Sequence, residues 1–268
     1  MNHLWRQCQA AICSLTFENA NGRITSGSGF KVGDYLITNN HVIQVTDARR
    51  IVIRSVNADS HTTALDISFG HLEFRTFLVE GDPETAWDFA ILRIPGPEFQ
   101  ALPSLELAEE DEIEVGSQIA IFGYQFDQAQ LSMHMGYLAS QYFRAGVHYL
   151  QLDSSVNHGN SGGPLIDAVT GKVRGIVTRK ATGLTQQFDA LLHSFQQNIN
   201  QLQVMQQGGA RAIIAGLDPV AAMLATQTQM QRIAQEIGRS ANVGIGYAYH
   251  INKIRASLAR HSTESPSQ

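Results

Sequence analysis

The chain has 268 residues, enough for one large domain or two small ones with a full core, and its 43% hydrophobic content is that of an ordinary globular protein. A formal net charge of −5 with no basic run argues against nucleic acid as a partner, and no apolar run is long enough to span a membrane as a helix. Cys8 and Cys13 are too few for a disulfide scaffold and are read as reduced thiols, Cys13 on a buried strand; with an N-terminus that lacks a basic start and a long apolar core, they set the expectation of a cytoplasmic protein.

In chain order, the first half reads as short strands at residues 12–17, 26–32, 35–38, 51–55, 71–79 and 89–94, with Gly33-Asp34 as a hairpin turn. Six such strands suit one antiparallel barrel. A connector through Pro95, Pro97 and Pro103 leads to the acidic stretch Glu109-Glu110-Asp111-Glu112, where proline and charge mark a crossing between two lobes. The lobes are set at residues 1–102 and 103–268. The second offers strands at 118–122, 133–140, 148–153, 163–166, 173–179 and 243–250, then a closing helix at about 252–260.

Between about 184 and 240 the period changes. Phe188, Leu192, Phe195, Ile199 and Leu202 are spaced four, three, four, three, which is a helical stripe. Gly208-Gly209 breaks it, Asp218-Pro219 starts a second helix, and Met223, Met230, Ile233 and Ile237 continue a second stripe up to Gly238. The expected fold is therefore mostly β: two antiparallel six-stranded β-barrels, a helical hairpin inserted between the last two strands, and a C-terminal helix. Closing a barrel removes exposed strand edges, which suits such a composition.

The chemistry is concentrated in Gly159-Asn160-Ser161-Gly162-Gly163-Pro164. A serine between glycines lets a tight turn aim a hydroxyl and backbone N–H groups into one small space, as acyl transfer requires. Gly-x-Ser-x-Gly is also the nucleophile elbow of α/β-hydrolases, whose histidine follows the serine, and His193, His250 and His261 do follow. Nothing before Ser161 alternates strands with long helices, as that fold needs. The alternative order is histidine, aspartate, serine: His41 follows the apolar run Tyr35-Leu36-Ile37, and Asp88 opens the strand-like Phe89-Ala90-Ile91-Leu92. Asp82 and Glu84 are rival acids.

These segments resemble the trypsin-like serine proteases of the chymotrypsin fold, and among them the Deg (high-temperature-requirement) branch. Gly27-Ser28-Gly29-Phe30 with Leu36-Ile37-Thr38-Asn39-Asn40-His41-Val42 is similar to that branch's strand, turn and histidine. Asp88-Phe89-Ala90-Ile91-Leu92 resembles its aspartate strand, and Asn157-His158-Gly159-Asn160-Ser161-Gly162-Gly163-Pro164-Leu165 its serine loop. Gly175-Ile176-Val177-Thr178 and Val243-Gly244-Ile245-Gly246-Tyr247-Ala248 resemble its last two barrel strands. The likeness runs from about Ile12 to Leu258 apart from the insertion, where the family has only a short loop.

The resemblance implies a serine endopeptidase with Ser161 as nucleophile, His41 as base and Asp88 holding the imidazole. It implies an oxyanion hole from the N–H groups of Gly159 and Ser161, with Asn160 close by. Ser155 falls near the base of the pocket for the residue before the cut, with Val156 and Gly246 on its walls. No acid lies at that base, so cleavage after small or medium uncharged residues is expected. Val177, Thr178 and Arg179 are expected to pair with substrate as an added strand, Arg179 and Lys180 favouring acidic residues upstream of the cut.

His158 stands where the family has proline and reads as a solvent-facing loop residue. Met133, His134 and Met135 alternate at strand spacing and read as core. No Cys/His cluster or His-Glu-x-x-His has metal-ligand spacing, so no metal or cofactor is expected. The expected partners are a protein or peptide substrate and a protein partner or activator at the insertion, 184–240. The alternative readings are a catalytically silent barrel binding partners through that insertion, and an esterase using the same triad.

Overall fold

The structure, a computed structural model, describes residues 2–22, 24–57, 62–109, 113–125, 128–178, 183–207, 213, 218–240 and 244–263. The acidic residues 110–112 and the Gly208-Gly209 break lie outside them. Two compact units emerge: residues 1–179 with 244–268, and residues 180–243.

The first unit opens on helix α1 (Asn2–Cys8) and strands β1 (Ile12–Asn19), β2 (Ile24–Val32) and β3 (Tyr35–Thr38). A single helical turn, α2 (Asn40–Ile43), precedes β4 (Ala48–Val56), β5 (Thr63–Gly70), helix α3 (His71–Arg75), β6 (Leu78–Asp82) and β7 (Phe89–Leu92). These strands pair antiparallel in the order β5-β4-β1-β2-β3-β7-β6. After the turn α4 (Pro97–Gln100) come β8 (Gln118–Gly123), β9 (Ser132–Arg144), β10 (Val147–Leu152), β11 (Pro164–Asp167) and β12 (Val173–Thr178). Helices α5 (Gly183–Gln207) and α6 (Pro219–Ser240) follow, then β13 (Gly246–His250) and helix α7 (Asn252–Thr263). Six strands, β10-β13-β12-β11-β8-β9, close the barrel expected of the second half.

The first half departs from a second six-stranded barrel: seven strands form one sheet whose end strands, β5 and β6, do not pair with each other among the described residues. Two differences from the expected strands stand out: β5 (Thr63–Gly70) is not among them, and the expected strand at 71–79 is a helix followed by the start of β6. Phe74 turns inward and packs edge-on against Phe17 and Phe77, while Leu72 is exposed. That places residues 72 and 74 on opposite sides but 74 and 77 together, a helical rather than an alternating pattern. Residues 71–75 therefore coil as α3 between two strands. Helix α1 also escaped the sequence reading: it has no capping signal, and among its described side chains only Leu4 and Cys8 are buried, with Trp5 stacked on Phe122.

One apolar cluster joins sheet and barrel: Phe30, Ile37, Phe89 and Ile91 from the sheet meet Phe122, Ile166, Val173 and Ile176 from the barrel. Each such side chain contributes about 1.5–3 kcal/mol on burial, so the two β-structures share one core rather than touching as separate domains. Polar ties cross the same boundary. Buried Lys31 on β2 donates to the carbonyls of Gln100 and Leu102 in the connector, at 3.2 and 2.8 Å. Glu80 on β6 accepts from Ser257 and Arg260 of α7 and pairs with His261. Burial alone would raise the Glu80 carboxyl, but these donors outweigh it and hold it below the ordinary glutamate value.

The second unit is an antiparallel pair of helices. Leu192, Phe195, Ile199 and Leu202 lie along the covered face of α5, and Gln231 Nε2 on α6 donates to Gln196 Oε1 at 2.9 Å. Asp218 Oδ1 caps α6, accepting from the N–H groups of Val220 and Ala221. The second stripe differs from expectation. Met223, Met230 and Ile233 are exposed, and the covered residues are Leu224, Gln231 and Ala234, one position later in each case. A shift of one residue turns a helix by about 100°, so the methionine face points away from α5. The helix also continues through Gly238 to Ser240. The side chains of Phe188 and Ile237 lie outside the described residues.

The topology makes a prediction. Thr178 at the end of β12 is in register with Tyr247 at the start of β13. Paired Cα atoms in an antiparallel ladder lie about 5 Å apart, a gap that a short turn closes. Replacing residues 180–243 by a four-residue Gly-rich turn should keep cooperative thermal unfolding and the β-type circular dichroism of the rest of the chain. A non-cooperative melt would show that the insertion is needed to hold the barrel.

Candidate active site

His41 sits on α2, just past the end of β3. Its Nδ1 is 2.6 Å from Asp88 Oδ2, and its own backbone N–H donates to Asp88 Oδ1 at 3.0 Å. Asp88 is fully buried and receives a third bond from Thr178 Oγ1 at 3.3 Å. Its backbone is held as well: the carbonyl accepts from Asn39 Nδ2 at 2.7 Å and the N–H donates to Pro83 O at 3.2 Å. Those bonds fix Asp88 at φ +43°, a left-handed conformation that a non-glycine residue adopts only under constraint. With a carboxylate facing Nδ1, that nitrogen carries the proton and Nε2 on the opposite edge is left with its lone pair. Asp82 and Glu84, the rival acids, lie on the outer strand and its turn, half-buried and exposed respectively.

Ser161 lies in a turn between β10 and β11. The turn is built on backbone bonds: Asn160 N–H donates to Asn157 O, Gly163 N–H to Asn160 O, and Gly162 N–H to Val177 O. Ser28 N–H on β2 donates to Ser161 O at 2.9 Å, so the Ser161 turn is bonded directly to the sheet that leads to His41. Gly162 presses against the same region. A Cβ there would stand 2.1 Å from Ser28 O and 3.0 Å from the N of Asn39, two residues before His41. Asp88, His41 and Ser161 are thus gathered at one junction of sheet and barrel. Among the described residues no hydrogen bond joins Ser161 Oγ to His41, a contact that substrate commonly tightens.

The expected oxyanion donors separate into two groups. Among the described residues, the N–H groups of Gly159 and Ser161 donate to no protein acceptor, whereas that of Asn160 is committed to Asn157 O at 3.1 Å. Asn160 is thereby removed from the set. Gly159 has φ +94°, and a Cβ on it would stand 2.0 Å from Tyr124 O, so only glycine fits.

The expected substrate residues divide likewise. Val156 is buried, Ser155 half-buried, and a Cβ on Gly246 would meet a Val156 methyl at 2.6 Å, so Val156 and Gly246 pack against each other. The acid nearest in sequence, Asp153, is turned to the N–H of Tyr137. Val177 does not fit the role of a substrate-pairing strand. Its N–H donates to Gly163 O and its C=O accepts from Gly162, leaving neither main-chain group for another strand. Thr178 has its hydroxyl on Asp88. Arg179 and Lys180 lie outside the described residues.

Two features had no signal in the reading of the chain. One is Ser28. The other is a polar network beside the turn, in which Asn157 Nδ2 donates to Gln125 Oε1 at 3.0 Å and Gln125 Nε2 reaches Ser132 Oγ at 2.9 Å and His134 Nε2. His134, read as core, is a half-buried member of this network, and burial lowers its pKa from the ordinary histidine value. His158 is half-buried rather than solvent-facing. Among the described residues no group of three His, Cys, Asp or Glu side chains could hold a metal ion, and no helix is long and apolar enough to cross a membrane.

The turn's tightness is testable. Gly162→Ala puts a Cβ into Ser28 O at φ +86°, whereas Gly33→Ala meets nothing within 4 Å at φ +55°. Left-handed strain alone costs about 1–2 kcal/mol, and the overpacking adds about 1–3 kcal/mol. Denaturant unfolding should therefore show Gly162→Ala losing clearly more stability than Gly33→Ala; equal losses would contradict the packing described.

Residues 27–176 match the trypsin-like peptidase domain, which is more than half of the chain. A DegP-like periplasmic serine endoprotease of Ectopseudomonas mendocina is 32% identical over 158 residues, covering 56% of this chain and 28% of the relative. The mitochondrial serine protease HTRA2 of Bos taurus is 31% identical over 169 residues, covering 59% and 32%. The chain thus spans about a third or less of these curated relatives. Among solved structures, the HtrA-type protease AlgW with tripeptide is similar at a TM-score of 0.51 and 26% identity, covering 65% of this chain and 52% of that one. The compartments in the relatives' names point away from the expected cytoplasm. Cys8 and Cys13 are both free and buried, so their small number says only that the fold needs no bridge, not that its surroundings are reducing. With a match across both β-structures, and histidine, aspartate and serine in that order along the chain, the protein belongs to the trypsin-like peptidase domain family, near its Deg/HtrA branch.

Proposed function

We propose that the chain is a serine endopeptidase in which His41, Asp88 and Ser161 form the triad and the N–H groups of Gly159 and Ser161 form the oxyanion hole. The observation that carries this reading is the 2.6 Å contact of His41 Nδ1 with a buried carboxylate. It leaves Nε2 as the proton acceptor on the edge away from Asp88.

The reaction follows from that arrangement. Ser161 Oγ attacks the scissile carbonyl carbon as its proton passes to His41 Nε2. Asp88 stabilises the imidazolium, which is otherwise costly at a half-buried site. The carbonyl oxygen gains charge and accepts from Gly159 and Ser161, two donors that the folded turn leaves unused. Collapse breaks the C–N bond, and His41 returns the proton to the leaving amine. Water then enters, gives a proton to His41 and attacks the acyl-serine ester. The bond from the acyl carbon to Ser161 Oγ then breaks, His41 returns the proton to that oxygen, and the carboxylic acid leaves.

For specificity, Val156 and Gly246 support a shallow, uncharged pocket, with Ser155 beside it. This favours small or medium uncharged residues before the cut. Asp153, the acid nearest in sequence, is exposed and has one carboxylate oxygen on Tyr137 N–H.

A fluorophosphonate probe should label the protein at Ser161, and Ser161→Ala should abolish labelling; label persisting in that variant would overturn the assignment. In Asp88→Asn an amide replaces the acceptor at Nδ1 and favours the wrong tautomer, so kcat on a fluorogenic peptide should fall by roughly 10³–10⁴-fold. A peptide library should show cleavage after residues such as Ala, Val or Ser, and dominant cleavage after Lys or Arg would remove the pocket assignment.

A further inference from the structure

Ser28 lies on β2 beyond the point where β3 ends: the β2–β3 ladder stops at Phe30 paired with Ile37. Its N–H and C=O on that side therefore have no strand to pair with. Both are taken by the site. Ser28 N–H donates to Ser161 O at 2.9 Å, and Ser28 O accepts from Thr38 Oγ1 at 2.7 Å, three residues before His41. The hydroxyl is equally committed. Ser28 Oγ accepts from Tyr124 N–H at 2.9 Å and donates to Gly159 O at 2.7 Å. The residue is fully buried.

The bond to Gly159 O has a specific consequence. The peptide linking Gly159 to Asn160 lies between the two peptides whose N–H groups face the oxyanion. Its carbonyl is held by Ser28 and its N–H by Asn157 O. A glycine at φ +94° has no Cβ to restrict rotation about its own backbone, so this plane has to be held from outside. With it held, the N–H groups of Gly159 and Ser161 keep fixed directions. Released, it can turn its carbonyl toward the space where the oxyanion forms.

We infer that Ser28 is a positioning residue for the oxyanion hole: its hydroxyl bridges Tyr124 N–H and Gly159 O and so locks the turn in its donor-forward form. The inference rests on the endopeptidase reading above for its kinetic consequence, but the lock itself is a structural claim. Because the hydroxyl acts through the turn, its loss affects the transition state, where the oxyanion exists, more than the ground state.

The test compares Ser28→Ala, Ser28→Thr and Ser14→Ala in the full chain. Ser14 is the residue opposite Ser28 on β1, and its hydroxyl bonds Arg54 O, away from the turn. On a fluorogenic peptide, Ser28→Ala should lower kcat by about 10–100-fold with KM changed less than about threefold, somewhat less than removal of a direct donor. Ser28→Thr, which keeps the hydroxyl, should recover most of the rate, and Ser14→Ala should leave kcat unchanged. If the alanine protein does not fold, Ser28→Cys keeps the bulk with a weaker donor and acceptor, and the same loss is expected. A folded Ser28→Ala or Ser28→Cys with kcat within twofold of wild type overturns the inference, as does a change in KM alone. Backbone amide exchange by NMR separates this from failure of the endopeptidase reading. If the wild type reacts with no substrate or probe, that reading fails, and exchange at Tyr124 N–H decides the lock: about tenfold or more faster in Ser28→Ala supports it, unchanged protection refutes it.

Discussion

The site depends on a buried negative charge. A carboxylate away from water is unfavourable unless its oxygens are bonded, and Asp88 meets that demand with donors from two parts of the fold. His41 supplies its backbone N–H and its ring N–H from the first sheet, and Thr178 supplies a hydroxyl from the barrel. Because the acceptor needs both sources, sheet and barrel must meet in one alignment. The imidazole tautomer follows from the same bonds, so the constraint that fixes packing also fixes which nitrogen takes a proton.

The Ser161 turn obeys a second rule, that a backbone bent this tightly must be held from outside. Gly159 and Gly162 allow it to press against Tyr124 and Ser28 at distances that no Cβ permits. Ser28, Asn157 and Val177 then take up the inward-facing polar groups of the turn, and the N–H groups of Gly159 and Ser161 are what remains. Hydrogen-bond satisfaction thus leaves these two donors unused by committing their neighbours. The Gln125–Asn157 network supports the same turn from its other side.

The helical pair is tolerated because of where it enters. Strands β12 and β13 are neighbours in register, so the chain leaves and re-enters the barrel across one ladder step and the barrel's hydrogen bonding closes without it. Its two helices cover each other along Leu192, Phe195, Ile199 and Leu202 and along Leu224, Gln231 and Ala234, leaving Met223, Met230 and Ile233 in the open.

What the sequence determined by itself was local: alternation for most strands, a four–three spacing for α5, an Asp-Pro start for α6, and three short motifs whose order distinguished this family from the α/β-hydrolases. Those signals survive because each is carried by contiguous residues with one dominant physical demand. Tertiary structure decided the rest. It turned residues 71–75 into a helix, because Phe74 and Phe77 reach the same core, and it rotated the covered face of α6 by one residue to fit α5. It closed Asn160 and Val177 to substrate by bonding their main-chain groups within the fold. It gave Ser28, a small residue in a Gly-Ser-Gly run, a place between the Ser161 turn and the strand leading to His41. Each of these depends on which distant partner takes a hydrogen bond or fills a space, and that partner is named only when strands 100 or more residues apart are laid side by side.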